Sequence, residues 1–294
     1  FGGGEILDLG FKGNFQFKIK EPVRSNEFSV NASVSIPQFW LLPNTAFKNK
    51  IPRTEIKLNF NYTDRPEYKR NISSFQYGYT WDIKDNRLAF QLYPLWLNLV
   101  KATDVDPDFL EKIQHDIQLI ESFITHVDIG SKFNVYYSTS NQINPDHTYF
   151  YLRGNVATSG NLLGAYNAIF AEKEPVRQHK IFGVPYDQFV RVELAAVQTW
   201  RFGTFNEYAF ATRLTGGIAF AYGNSYFPPQ EQTFYVGGSD SMRGWPARVL
   251  GPGSSQLLEM FIIRNQTGSM KLEANAEFRF PIVWKLKGAV FADA

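Results

Sequence analysis

Met270-Lys271-Leu272-Glu273-Ala274-Asn275-Ala276-Glu277-Phe278-Arg279-Phe280 alternates strictly, apolar side chains on one set of positions and charged or amide side chains on the other. Successive side chains of an extended chain point to opposite faces, so the run reads as a strand with one apolar and one polar face. It is about twice as long as the usual strand of roughly 5 to 6 residues in a soluble protein. It matches the roughly 9 to 11 residues that a strand needs to cross a bilayer.

The same alternation recurs along the chain. Phe11, Gly13, Phe15, Phe17 and Ile19 alternate with Lys12, Asn14, Gln16, Lys18 and Lys20; Phe28, Val30, Ala32, Val34 and Ile36 alternate with Ser29, Asn31, Ser33 and Ser35. Ile56, Leu58, Phe60 and Tyr62 alternate with Glu55, Lys57, Asn59 and Asn61. Looser alternation marks strands near 71–84, 87–100, 122–139, 148–163, 185–201 and 208–224, and a last fragment from Lys287 to Ala294 begins an eleventh strand. Turn signals at Glu21-Pro22, Arg65-Pro66-Glu67, Asp85-Asn86, Asn144-Pro145-Asp146 and Gly203-Thr204-Phe205-Asn206 separate them, with no βαβ rhythm. The expected fold is all-β, a transmembrane antiparallel β-barrel occupying residues 1–294 as one domain. A soluble β-sandwich or lipocalin-like barrel also alternates, but its strands are shorter.

Composition agrees. The 294 residues include 27 Phe, 15 Tyr and 6 Trp, more aromatics than a soluble domain hides easily, and lipid-facing strands with interfacial girdles use them. Mean hydropathy is only -0.27, because outward apolar and inward polar residues average out. A net charge of +2 argues against nucleic acid or an acidic membrane surface as the main partner. The absence of cysteine removes disulfides, thiolate metal sites and cysteine nucleophiles. No apolar run reaches the roughly 18 to 20 residues of a membrane helix.

Longer links at 101–121, 164–184 and 225–268 alternate with short turns, so all three should lie on one side of the membrane, the extracellular one. Pro107 with Asp106 and Asp108, then Leu110, Ile113, Ile117 and Ile120, predicts a short amphipathic helix over 107–121. His115, His126, His147 and His179 are scattered without helical zinc spacing, and no GxSxG elbow or phosphate-cradling glycine loop occurs. No catalytic residue, metal or cofactor is expected.

The longest link carries Phe234-Tyr235-Val236-Gly237-Gly238-Ser239-Asp240-Ser241-Met242-Arg243-Gly244-Trp245-Pro246-Ala247-Arg248-Val249-Leu250-Gly251-Pro252-Gly253. Arg243 offers a rigid guanidinium fork for carboxylates, and Gly244 lets the backbone turn tightly around it. Glu277 lies on the polar, lumen-facing side of its strand. If Asp293 also faces inward, both acids can hold Arg243 and pin a loop folded back into the barrel.

This run resembles the sixth extracellular loop of the BamA/TamA family of outer-membrane assembly barrels. Ala276-Glu277-Phe278-Arg279-Phe280-Pro281-Ile282 resembles the family's next strand, and Val290-Phe291-Ala292-Asp293 the start of the one after. Phe1-Gly2-Gly3-Gly4-Glu5 is similar to an early barrel strand of the TamA-like branch. The resemblance implies a bacterial outer-membrane barrel of about sixteen strands, of which ten to eleven are visible, with POTRA domains upstream and a lateral seam between first and last strands.

It implies insertion or translocation of unfolded outer-membrane proteins without ATP, among outer-membrane lipids and accessory assembly subunits, and no enzymatic activity. Arg243, Gly244 and Trp245 would anchor the loop, with Glu277 and Asp293 as counter-charges and Gly237, Gly238, Gly251, Pro252 and Gly253 as its turns. The rivals are a two-partner-secretion transporter, a passive porin and an outer-membrane hydrolase.

Overall fold

The computed structural model describes all residues except 1–2, 18–23, 41–51, 84–86, 114–119, 121–122, 143–144, 171–177 and 252–265. Among the described residues, eleven long strands form one antiparallel sheet: β1 (Ile6–Phe17), β2 (Arg24–Ile36), β3 (Arg53–Asp64), β4 (Lys69–Ile83), β5 (Leu88–Thr103), β6 (His126–Ser138), β7 (Tyr149–Ser159), β10 (Phe189–Phe202), β11 (Tyr208–Ala221), β12 (Met270–Val283) and β13 (Leu286–Asp293). Each strand pairs with its neighbour in sequence, an up-and-down meander. The short hairpin β8 (Lys180–Ile181) and β9 (Val184–Pro185) stands apart. No described helix is long and apolar enough to cross a membrane.

In a meander successive links leave opposite ends of the sheet. The links after β5, β7 and β11, the three longest, therefore emerge at the same rim. Helix α1 (Pro107–Ile113) lies in the first of them, where Asp106 Oδ1 accepts the Asp108 amide at 2.8 Å and caps the first turn. Tyr68, Phe109 and Phe123 pack beneath that link as a small apolar cluster. Residues 114–119 of the expected longer helix lie outside the described residues.

One expectation is corrected in the second link. The strand read as 148–163 ends at Ser159, and Asn161–Phe170 form helix α2. Gly160, with φ +73°, breaks the extended run, and Leu162, Tyr166, Ile169 and Phe170 follow a helical period.

The burial pattern is the reverse of a soluble protein's. Leu9 is 74% exposed, Phe11 71% and Leu272 78%, and Leu58, Leu194, Leu214 and Phe220 are also bare. On the opposite face Asp128 and Ser159 are fully buried and Glu273 is 1% exposed, with Asn98, Thr199 and Thr215 alongside. Apolar side chains outside and hydrogen-bonded polar ones inside is the layering expected with lipid as the outer solvent.

The sheet also curls. Arg70 of β4 and Arg191 of β10 stand four strand spacings apart, roughly 19 Å along a flat sheet. Yet Arg70 Nη1 donates to Gln230 Oε1 at 3.0 Å, and Arg191 Nε to the Gln232 carbonyl at 3.0 Å, two residues further along one loop. The wall therefore wraps around the segment that follows β11.

Candidate functional site

That segment enters the lumen through a fitted gate. The Phe234 amide donates to the Gly268 carbonyl at 2.8 Å, and the Gly268 amide returns the bond to Phe234 at 2.8 Å, closing the base of the loop. The Phe234 ring then lies against β11 at Gly217, where a Cβ would stand 2.5 Å from the ring. The Arg191 guanidinium covers the ring at 4.2 Å. A glycine on the lumen face of β11 thus provides the seat for an aromatic ring.

Just before the gate, the 3-10 turn Gln230–Gln232 is held against the wall. Glu231 Oε1 lies 2.7 Å from His126 Nε2, and Asp187 Oδ2 lies 3.6 Å from the same nitrogen. Burial raises the Asp187 pKa and only in part is this offset by His126. Burial is the largest single influence on Glu231 and acts against its charged form, but the His126 hydrogen bond together with the His126 and Arg70 charges holds that acid below its ordinary range.

Beyond the gate the chain descends to Arg243. Its Nε donates to Asp293 Oδ2 at 2.9 Å, its Nη2 to Asp293 Oδ1 at 2.7 Å, and its backbone amide to Asp293 Oδ2 at 2.9 Å. Nη1 donates to Glu277 Oε2, while Arg279 Nε donates to the other oxygen of that carboxylate. The guanidinium lies 3.8 Å over the Phe291 ring. The Asp293 bonds raise the Arg243 pKa above the usual guanidinium value, so its charge is fixed.

Strand register explains the convergence. Asn275 pairs with Asp293 and Glu277 with Phe291 across β12 and β13, so all four project from one face at two neighbouring levels. Asn275 Nδ2 donates to Asp293 Oδ1 at 2.8 Å and to the Ser241 carbonyl at 3.1 Å, tying wall to wall and wall to loop. One level further along β12, Glu273 takes Ser241 Oγ at 2.6 Å, Arg213 Nη2 at 2.6 Å and Lys271 Nζ at 2.8 Å. The tip is thus held at two successive acids of one strand.

The turns that aim these side chains need glycine. Gly237 has φ +101°, and a Cβ there would stand 2.3 Å from the Pro246 carbonyl oxygen. Gly244, directly after the anchor, has φ +92°. The Gly238 amide donates to the Trp245 carbonyl at 2.8 Å and the Arg248 amide to the Val236 carbonyl at 3.0 Å, closing the tip as a compact Ω-like loop. Gly251 has φ +90°; Pro252 and Gly253 lie outside the described residues, as do Phe1 and Gly2.

The structure therefore brings Arg243, Glu277 and Asp293 together. The Trp245 side chain is half exposed, and its backbone carbonyl accepts from the Gly238 amide. Sequence reasoning missed Ser241, Asn275, Glu273, Phe291 and Arg213. Glu273 and Asn275 carried a signal, since they precede Glu277 at two-residue spacing on the same polar face.

Beside the tip, a cavity of about 360 Å³ bordered by Arg213, Ser239, Asp240, Asn275 and Arg279 keeps one side of the anchor open.

The comparisons with known proteins agree with this architecture. No curated protein matches the chain. Among solved structures, BamA from Haemophilus ducreyi lacking POTRA domains 1–3 is similar at TM-score 0.60 and 14% identity, over 98% of this chain and 56% of that one. The chain thus spans little more than half the length of that relative. Residues 129–294, which include the loop, the gate and both acid-bearing strands, match the Omp85 superfamily domain. A match over more than half of the chain, to the part that holds the Arg243 anchor, places this bacterial outer-membrane β-barrel in the Omp85 superfamily.

Proposed function

We propose that the chain is the barrel of a machine that inserts or translocates outer-membrane polypeptides without ATP, through a lateral seam of the sheet. Arg243 is its loop anchor, and Glu277 and Asp293 are the counter-charges. The observation that carries this reading is a long loop held inside the lumen by a bidentate guanidinium–carboxylate pair. A wide diffusion pore keeps its lumen water-filled, whereas here a long loop fastened at its base, turn and tip occupies it. A machine that must keep its lumen occupied while one edge handles a client has use for such a loop.

Driving energy would come from the client, which exchanges exposed strand edges for ladder hydrogen bonds and buries its apolar face in lipid, so no nucleotide is required. The residues act by conformation and break no bond. The opening Phe1-Gly2-Gly3-Gly4-Glu5 favours the TamA-like branch, and periplasmic POTRA domains ahead of the barrel would receive clients together with accessory subunits.

The test is reconstitution of the full-length protein into liposomes with an unfolded outer-membrane porin as client. Faster folding of the client than in empty liposomes, without nucleotide, is expected. Large steady single-channel conductance with no acceleration of folding would overturn the reading in favour of a porin. Export of one dedicated substrate without insertion of others would favour the two-partner transporter.

A further inference from the structure

We infer that His126, Asp128 and Glu231 form a binding site for a divalent transition cation of the zinc type, which straps the base of the lumen loop to the barrel wall. His126 and Asp128 project from the same face of β6, two residues apart, and Glu231 comes from the 3-10 turn of the loop. One ligand atom from each lies within 4.8 Å of the others.

Three observations point to a ligand here. His126 Nδ1 lies 2.8 Å from the Ile124 carbonyl, which can only accept, so Nδ1 carries the proton. Its Nε2 then faces the carboxylates of Glu231 at 2.7 Å and Asp187 at 3.6 Å. Nε2 also donates to Glu231. A cation binding there would displace that proton and take the lone pair of an imidazole whose far nitrogen is already fixed by a backbone carbonyl, as in metal-ligating histidines.

Second, Asp128 is fully buried, and its Oδ1 has no hydrogen-bond partner; its other oxygen takes only long bonds, 3.4 Å from Asn98 and 3.3 Å from Gln232. Third, Glu231 Oε2 is also buried without a partner.

Three largely buried carboxylates gather around one imidazole, which a divalent cation would balance. The cations already facing them are Arg70, whose Nη1 is engaged by Gln230, and Lys132, whose Nζ lies 3.9 Å over the Trp96 ring.

One nitrogen with carboxylate oxygens suits zinc-like ions better than calcium or magnesium, which favour all-oxygen shells. Tetrahedral zinc with bonds of about 2.0 to 2.2 Å sets its ligands roughly 3.4 Å apart, so the cluster must contract by about 1 to 1.5 Å. The Glu231 side chain, carried by a three-residue turn, can supply that movement, and Asp187 stands ready as a fourth ligand. The inference concerns ion binding to the folded barrel and does not depend on whether the barrel inserts proteins.

The test is zinc titration of the chelator-stripped, untagged full-length protein in detergent, by calorimetry, with calcium and magnesium as counter-probes. One saturable zinc site per chain is expected, weakened about a hundredfold by His126→Ala, Asp128→Asn or Glu231→Gln and unchanged by His147→Ala or His179→Ala. Zinc should also slow amide exchange over 230–234. The absence of saturable binding, or equal binding by all five variants, overturns the inference. Should the three site variants fail to fold, zinc absorption spectroscopy on the wild type decides. A shell with one imidazole and carboxylate oxygens supports the site, and any other shell overturns it.

Discussion

Replacing Arg243 by alanine should free the tip of the loop while leaving the sheet intact. The substitution removes the bidentate pair with Asp293, the bond to Glu277 and the stacking on Phe291, but keeps the backbone amide bond to Asp293. Breaking a buried ion pair from one side costs about 3 to 5 kcal/mol. Here Asp293 keeps Asn275, Glu277 keeps Arg279, and the guanidinium is 22% exposed beside a cavity. Partial hydration lowers the figure to about 2 to 3 kcal/mol.

At about 1.4 kcal/mol per tenfold, the ratio of docked to released loop should fall roughly 30- to 150-fold. Native-state hydrogen exchange reads this directly on the amides of Gly238, Arg243 and Arg248, each of which donates a bond within the docked tip. Protection there should fall by that factor, while amides of β10 and β11 keep theirs. Arg248→Ala removes a contact of 4.2 Å over Tyr235 and should cost less, as should its effect on client insertion. Unchanged protection across 236–248 in a folded Arg243→Ala protein would refute the pinned-loop argument, as would equal insertion defects for the two variants.

Gly237→Ala should destabilise the docked tip by about 1 to 3 kcal/mol, since its positive φ and the crowding by Pro246 must both be relieved; proteolytic nicking of the loop should accelerate accordingly. Ser241→Ala, which removes one bond to Glu273 and one from the Gly237 amide, should cost about 1 to 3 kcal/mol, and a double-mutant cycle with Glu273→Gln should show coupling. Gly217→Ala should displace Phe234 and raise the exchange of the Phe234 and Gly268 amides, with little effect on the β11 ladder. Leu214→Arg, in the middle of β11 on the outward face, should destabilise the barrel by about 2 to 4 kcal/mol in lipid, read by urea unfolding in vesicles.

Most of the sheet was legible because a period of two allows few alternatives over eleven residues, and β12 shows it without a break. The contact of Arg243 with Glu277 and Asp293 was legible only through the resemblance of the loop to a known family pattern, with the alternation assigning Glu277 to the inner face; the alternation alone leaves Arg279 and Lys271 equally inward. Helix α2 was lost because Leu162 and Leu163 stand so close beyond β7 that they read with it, whereas the chain turns at Gly160 and the helical period shows only from Leu162 onward. The cluster at His126 was lost for a different reason. His126 and Asp128 share a strand face at a spacing that a search for helical metal motifs does not sample, and Glu231 is brought to them across 105 residues by the loop.

The separation between Arg243 and its partners carries a consequence for how the barrel forms. Glu277 lies 34 residues further along the chain and Asp293 lies 50, on the two strands that follow the loop. During synthesis the arginine therefore emerges before either acid, and its fork cannot close until β12 and β13 have zipped in register. A docked tip thus reports that this stretch of wall has been laid down correctly. A slip of one residue would turn both acids toward lipid and leave the arginine with no receptor.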